Sequence, residues 1–248
     1  MNMLVTSGLA VQAGTRTLIT GLDWKVSRGE FWCVLGRNGA GKSSLLAVLA
    51  GLAAPAQGTV QIAGRGLATM DPLSLARSRG LMMQQVVDSF SCSVFDAVAI
   101  GRTPLRIGRT WDDEEDAASV NEALSRVGML DRATDDVMRL SGGERQRVAL
   151  AALLAQDVPL MLLDEPTSHQ DVAHQVSVMR LLRDLAQGRA VISTCHDINL
   201  AARFATHVLL IGEGFHRAGT VSDVLAPEAL QRTFGCDFTR QGDTFIPA

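Results

Sequence analysis

The sequence predicts an α/β fold: a parallel-sheet core, an N-terminal antiparallel β portion and an inserted helical portion. Three observations carry that prediction. Short apolar runs at 31–35, 160–163 and 190–195 read as strands buried on both faces, the usual composition of a parallel sheet. Residues 3 to 35 alternate apolar and polar positions around Gly8, Gly14, Gly21 and Gly29, the pattern of short antiparallel strands separated by turns. From about Ser93 to Leu154 the signals are mostly helical, with no strand of comparable quality among them.

Length and composition fit one large domain with an insertion. The chain has 248 residues, of which 47% are apolar and 20% charged, enough apolar side chain for a full core. A net charge of −3 argues against nucleic acid as the main partner. The acidic run from Asp112 to Asp116 is expected to be a solvated helix start, where carboxylates favour the positive end of the helix dipole. MNMLVTSGLAV has neither a basic start nor an unbroken apolar run, so no signal peptide is expected. No apolar run approaches the roughly 18 residues of a membrane span, so the chain is expected to be soluble by itself, with a membrane-bound partner still open. Cys33, Cys92, Cys195 and Cys236 are far apart and read as reduced thiols, not as a disulfide frame or a zinc site.

Chemistry begins at the first apolar strand, Phe31 to Leu35. It breaks at Gly36 and resumes as a helix at about Lys42, with Gly39 and Gly41 in the turn, which spells G-x-x-x-x-G-K-[ST]. Glycines reach φ > 0 and let backbone N–H groups approach an anion, and the helix start adds its positive end. Such a turn cradles a polyphosphate, with Lys42 on its terminal phosphates and the Ser43 hydroxyl on Mg²⁺.

Farther along, strand 59–62 lies between two glycines, a helix begins at about Asp71, and strand 80–83 ends in Gln84 and Gln85. Either amide could cap a backbone group, or one could reach a metal-bound water. The helical stretch comprises Val94 to Gly101, Asp112 to Val127 and a helix opening at Ser141. Ser141 with Glu144 forms a capping box. That box does not explain Gly142 and Gly143, each costing up to about 1 kcal/mol relative to Ala in a helix interior. Bare N–H groups facing a second phosphate would explain them.

Leu160 to Leu163 ends in Asp164 and Glu165, which can converge on one ligand where the strand turns into a loop. Asp164 would hold Mg²⁺ through water and Glu165 would polarise the attacking water. A helix with Val172, Val176, Met179, Leu182 and Ala186 on its apolar stripe follows Asp171 and ends near Gly188. Strand 190–195 ends at His196. The phosphate turn, the acid pair and His196 all follow the carboxyl ends of predicted parallel strands, where open α/β sheets bind ligands. His196 is therefore a candidate contact to the γ-phosphate or the water. Strand 208–211, the Gly212-Glu213-Gly214 turn and a helix from Pro227 to Phe234 close the chain.

Together these motifs resemble the nucleotide-binding subunits of ABC transporters over nearly the whole chain. The order is Walker A at Gly36 to Ser43, the glutamine loop at Gln84, LSGGE at Leu140 to Glu144, Walker B at Leu160 to Glu165, the aspartate loop ending at Asp171, and the switch histidine His196. The resemblance implies a P-loop NTPase fold with a RecA-like core, spanning 1–248 as a single ATP-binding domain, with a helical subdomain at about 87–157. It implies ATP and Mg²⁺ as ligands. Nucleotide would be bound by Gly36, Arg37, Asn38, Gly39, Ala40, Gly41, Lys42, Ser43 and Ser44 of one copy, and by Ser141, Gly142, Gly143 and Asp171. The metal would take Ser43, Gln84 and Asp164, and Glu165, His196 and Gln84 would be catalytic.

It further implies a head-to-tail pair of copies closing on two ATP molecules, with Ser141 to Gly143 contributed by the second copy. Opening and closing would move two transmembrane permease subunits docked near the glutamine loop and the helical insertion. The chain would be peripheral on the cytoplasmic face of a bacterial inner membrane, served by a periplasmic or extracellular substrate-binding protein. GRNGAGKSSLL, HDINLAARFATHVLLI and SDVLAPEALQRTFG are most similar to importers of metal chelates, haem or ferric siderophore first and cobalamin next. A soluble ABC-type ATPase acting on ribosomes or DNA is the alternative; it would bring tandem motif sets, long heptad arms or a basic tail, and the sequence has none.

Three departures stand out. Members commonly stack an aromatic residue on adenine, and Ala13 occupies the matching position in a chain without tyrosine. His169 and Gln170 stand where small or apolar residues are usual. Gln84 and Gln85 compete for one role, and Gln84 is chosen because it directly follows the apolar strand.

Overall fold

The computed structural model describes residues 1–84, 90–106, 114–168 and 170–248. The chain opens with strands β1 (Asn2–Ala13), β2 (Arg16–Ser27) and β3 (Phe31–Gly36), then helix α1 (Lys42–Leu49), β4 (Gln57–Ile62), β5 (Arg65–Gly66), α2 (Pro72–Ser78) and β6 (Arg79–Met82). Four helices follow: α3 (Val94–Ala99), α4 (Thr103–Arg106), α5 (Glu114–Arg126) and α6 (Gly142–Ala155). Next come β7 (Leu160–Leu163), α7 (Val172–Ala186), β8 (Ala190–Thr194), α8 (Ile198–Phe204), β9 (His207–Gly212) and β10 (Phe215–Thr220). The end of the chain holds α9 (Val221–Val224), α10 (Pro227–Phe234), β11 (Phe238–Gln241) and β12 (Thr244–Pro247).

The core sheet has the order β10-β9-β3-β8-β7-β6, parallel throughout except for β10. Every residue of β3, β7 and β8 is buried. Alternation decides which of two cores each one enters. Phe31, Cys33, Leu35, Met161 and Leu163 pack with α3, α5, α6 and α7, whereas Trp32, Val34, Leu160 and Leu162 pack with α1 and an antiparallel sheet of order β2-β1-β4-β5. The core sheet is thus covered on both faces.

The N-terminal strands differ from expectation. Instead of several short strands, β1 and β2 form one hairpin with 12 residues in each strand. Gly8 and Gly21, read as turns, lie inside the strands at φ +57° and +69°, where the pairing register shifts. A bulge asks for a positive-φ glycine as a turn does, so the two look alike in sequence. Val172, placed on the apolar stripe of α7, is 74% exposed. It is the first helical residue, ahead of the point where Val178, Met179 and Leu182 meet the core.

Between β6 and β7 the described residues contain helices and no strand. Of the acidic run, Asp112 and Asp113 lie outside the described residues, and Glu114 to Asp116 form the first turn of α5. Asp116 corrects the solvated-start reading: it is buried and accepts from Arg102 Nε at 2.7 Å and from Arg106 Nε. Arg102 also donates to Ala155 O at 3.1 Å, tying the start of α5 to the end of α6. Burial opposes ionisation of Asp116, but the hydrogen-bonded guanidiniums of Arg106 and Arg102 outweigh it and hold the carboxyl below the usual carboxylate range. A depressed folded-state pKa gives stability that is complete above the unfolded value of about 3.9 and lost as pH falls through the folded value. Replacing Asp116 by Ala leaves Arg102 buried without its partner, at an expected cost of about 3–5 kcal/mol. Urea unfolding at pH 7 measures that cost, and the same titration toward pH 3 should show the gap to wild type narrowing.

Among the described residues no helix is long and apolar enough to cross a membrane. All four cysteines are free. Cys33 and Cys195, remote in sequence, become neighbours through the pairing of β3 with β8, with Cys195 N donating to Val34 O at 3.1 Å.

Candidate nucleotide site

The parallel strands β3, β8, β7 and β6 stand side by side, so the segments after their carboxyl ends share one edge of the sheet. Loop 36–43 leaves β3, His196 follows β8, Asp164 and Glu165 follow β7, and Gln84 follows β6.

The loop is shaped by its glycines. A Cβ at Gly36 would come within 2.4 Å of Ile211 O, so the strand end has no room for a side chain. Gly41 caps α1 at φ 104°, in the left-handed region open to glycine. No side chain caps α1 and no acid sits in its first turn, which leaves its first N–H groups to an external anion. Lys42 is buried and its Nζ donates to Gly36 O at 2.9 Å and Arg37 O at 3.2 Å. Burial pushes the Lys42 ammonium below its ordinary pKa, and the charges of Glu165 and Asp164 offset part of that. This cradle fits the triphosphate of ATP: a narrow backbone cup, free helix N–H groups and one buried cation.

Across the edge, Glu165 is the hub. Its backbone has φ +51°, a left-handed conformation rare outside glycine. Gln84 Nε2 donates to Glu165 Oε2 at 2.7 Å, and His196 Nε2 meets Glu165 Oε1. Asp164 is buried, and its Oδ1 accepts from Thr194 Oγ1 at 2.7 Å. Ser43, Gln84 and Asp164 offer a hydroxyl, an amide and a carboxylate oxygen. That all-oxygen donor set fits Mg²⁺, which keeps water and substrate phosphate among its ligands. Among the described residues no group of three or more His, Cys, Asp or Glu is placed to hold a metal ion. The described residues of the site thus form no all-protein metal cage.

Gln85 and His169, both weighed in the sequence, lie outside the described residues. Gln170 Nε2 donates to Pro166 O at 3.2 Å. Asp171 caps α7, accepting from His174 N at 2.9 Å and contacting His174 Nδ1 at 2.9 Å. The structure therefore gives Asp171 a helix-capping task and does not bring it to the Glu165 cluster. Ala13 is exposed and pairs with Arg16 at the end of the β1–β2 hairpin. Arg16, Leu18, Asn38 and Gly39 are among the residues around a cavity of about 470 Å³ beside the loop.

Ser141, Gly142 and Gly143 start α6, and no hydrogen bond among the described residues joins them to loop 36–44. The capping box is complete: Ser141 N donates to Glu144 Oε2 at 2.8 Å, and Glu144 N to Ser141 Oγ at 3.4 Å. Arg132 holds the other Glu144 oxygen. A Cβ at Gly142 would meet nothing within 4 Å, and its φ is not positive. Among the described residues neither space nor conformation therefore asks for glycine at 142.

Sequence reasoning missed three residues around Glu165. Its N–H donates to Thr194 Oγ1 at 2.7 Å, and its carbonyl accepts from Gln146 Nε2 at 2.7 Å and Ser168 Oγ at 3.0 Å. The pairing of β7 with β8 puts Leu163 opposite Ser193, so the next pair along is Asp164 with Thr194. That register was the available signal for Thr194. No comparable signal marked Gln146.

The model of the ABC transporter family matches residues 19–168. The chain belongs to the ABC transporter family. Among curated ABC relatives, the hemin import ATP-binding protein HmuV of Streptomyces coelicolor is 41% identical over 94% of this chain and 83% of its own length. The cobalamin import ATP-binding protein BtuD of Halobacterium salinarum is 39% identical over 93% of this chain, which spans 58% of that relative's length. Among solved structures, an inward-facing metal-chelate type ABC transporter matches with a TM-score of 0.86 at 28% identity, over 100% of this chain and 98% of that one. The ABC fold foreseen from the sequence, a core sheet with an antiparallel β portion and helices between β6 and β7, is the fold observed.

Proposed function

We propose that this ABC chain is the ATPase subunit of an importer and works as a single unit over 1–248, with its helical subdomain at about 87–157. The observation that carries the reading is the meeting of Gln84 and His196 on the two oxygens of Glu165, along the same sheet edge as Lys42 and Asp164.

Loop 36–44 binds the triphosphate through its N–H groups and Lys42. Glu165 takes a proton from the attacking water, oriented by Gln84 and His196. Ser43, Gln84 and Asp164 would hold Mg²⁺, which would supply neutralising charge at the phosphates. The N–H groups of Gly142 and Gly143 in a second copy close the pocket from the other side, which supplies a reason for glycine at 142 that its surroundings among the described residues do not. ATP then bridges a head-to-tail homodimer, and hydrolysis removes the bridge.

The homodimer moves two permease subunits from the cytoplasmic face of a bacterial inner membrane, fed by a substrate-binding protein outside. Large apolar side chains stay exposed where β6 meets the helical insertion, with Met83 at 60%, Phe90 at 69% and Ile100 at 58%, around a groove of about 490 Å³ suited to a permease. The hemin and cobalamin relatives support a metal chelate as cargo: haem or a ferric siderophore first, cobalamin next.

The purified chain is expected to hydrolyse ATP in the presence of Mg²⁺ and to gain thermal stability with ATP as the ligand concentration rises, by about 2.7 kcal/mol at one hundred times Kd. No turnover and no shift in unfolding temperature would overturn the reading.

A further inference from the structure

We propose that Gln146 is the positioning residue that holds Glu165 in its hydrolytic geometry. Through it, the helix whose N-terminus faces the partner copy's nucleotide also sets the general base of its own copy. The inference rests on the reading of Glu165 as base and of α6 as a phosphate-facing helix.

A non-glycine residue at φ +51° is strained, and such a conformation persists only where its surroundings over-determine it. Those surroundings are polar contacts to the Glu165 backbone. Thr194 accepts from its N–H, while Gln146 and Ser168 donate to its carbonyl. Gln146 Nε2 also donates to Ser168 Oγ at 3.0 Å, so one amide serves both members of the carbonyl clamp.

Gln146 is 5% exposed, and its Oε1 has no hydrogen-bond partner among the described residues. A buried amide whose oxygen has no partner among the described residues costs stability relative to an apolar side chain of similar size. Packing alone therefore does not explain glutamine at this position; the two bonds it donates do. Gln146 is the fifth residue of the helix that Ser141 caps. A shift of α6 on engaging the partner's triphosphate is transmitted to the Glu165 carbonyl. The backbone there decides whether the carboxylate stands between Gln84 and His196. Each ATP site thus reports its occupancy to the other, and such linkage is reciprocal.

The test compares full-length wild type with Gln146→Leu, measuring ATP affinity and turnover at saturating ATP. Gln146→Met, unbranched and without donors, carries the test if Leu disturbs the helix. Turnover is expected to fall by about 10- to 100-fold, the effect of misplacing a reacting group by a fraction of an ångström to one ångström. ATP affinity should stay within about twofold, and Gln146→Leu in a Glu165→Gln background should still pair on adding ATP. Ser168→Ala should lower turnover in the same direction, and the double variant should lose less than the product of the two losses, since both act on one carbonyl. Turnover within about twofold of wild type, or affinity and pairing lost in step with turnover, overturns the proposal. Hydrolysis that is lost with Glu165→Gln yet kept with Gln146→Leu overturns this inference alone. A wild-type chain without hydrolysis overturns the proposed function together with it.

Discussion

Replacing Glu165 by Gln is expected to lower ATP turnover by about 10²–10⁴-fold while ATP-dependent pairing survives or becomes more persistent, because only proton acceptance is removed. The amide has the size and shape of the carboxylate, and its oxygen can still accept from Gln84. What it cannot do is take a proton from water. The left-handed backbone of residue 165 is secured through N–H and C=O, by Thr194, Gln146 and Ser168, and none of those bonds uses the side chain that changes. Lys42, the loop glycines and the α1 N-terminus are untouched, so the binding groups remain. Single-turnover hydrolysis, with size-exclusion chromatography in ATP, separates the two effects. Turnover within about twofold of wild type would remove Glu165 from the role of base.

The parts of this site legible in advance are those written in local sequence. β3, β7 and β8 announce themselves as unbroken apolar runs because both faces of the sheet are covered, and their ends place loop 36–43, the acid pair and His196 on one edge. Glycine at 36 and 41 is marked by the local G-x-x-x-x-G-K-S pattern, although the atoms that exclude a side chain there, Ile211 O and the Leu18 side chain, are remote in sequence. Elsewhere the remote partner alone is decisive. Asp116 reads as a solvated acid until Arg102 and Arg106 fold over it, and Gln146 carries no mark in the sequence until it meets Glu165, 19 residues on. Gly8 and Gly21 serve equally for bulges and for turns, and only the pairing of β1 with β2 distinguishes them. The final hairpin of β11 and β12 escaped notice because it buries little beyond Phe245, which leaves no apolar alternation to read.

Replacing Ser141 by Arg is expected to abolish ATP hydrolysis while one copy still binds nucleotide with near-normal affinity. The substitution removes the acceptor that receives Glu144 N–H, and losing an N-cap costs about 0.5–2 kcal/mol. Against a typical folding free energy of about 5–15 kcal/mol, that loss leaves the chain folded. Glu144 still has Arg132, so the start of α6 keeps part of its frame. The severe consequence lies outside the fold. Ser141 is exposed, and a Cβ at the adjoining Gly142 would meet open space, so a long cation at 141 spreads over the surface that a second copy's triphosphate must approach. Its bulk keeps the glycine N–H groups from closing on the phosphate even though its charge attracts it. In the proposed reading, nucleotide binding by the single copy uses loop 36–44, which has no hydrogen bond to this helix start among the described residues. Turnover and ATP-dependent pairing should therefore vanish together while monomer affinity stays within about threefold. Loss of affinity in parallel, with a lowered unfolding temperature, would trace the defect to folding. Wild-type turnover would show that the glycine-fronted helix of one copy takes no part in the nucleotide site of the other.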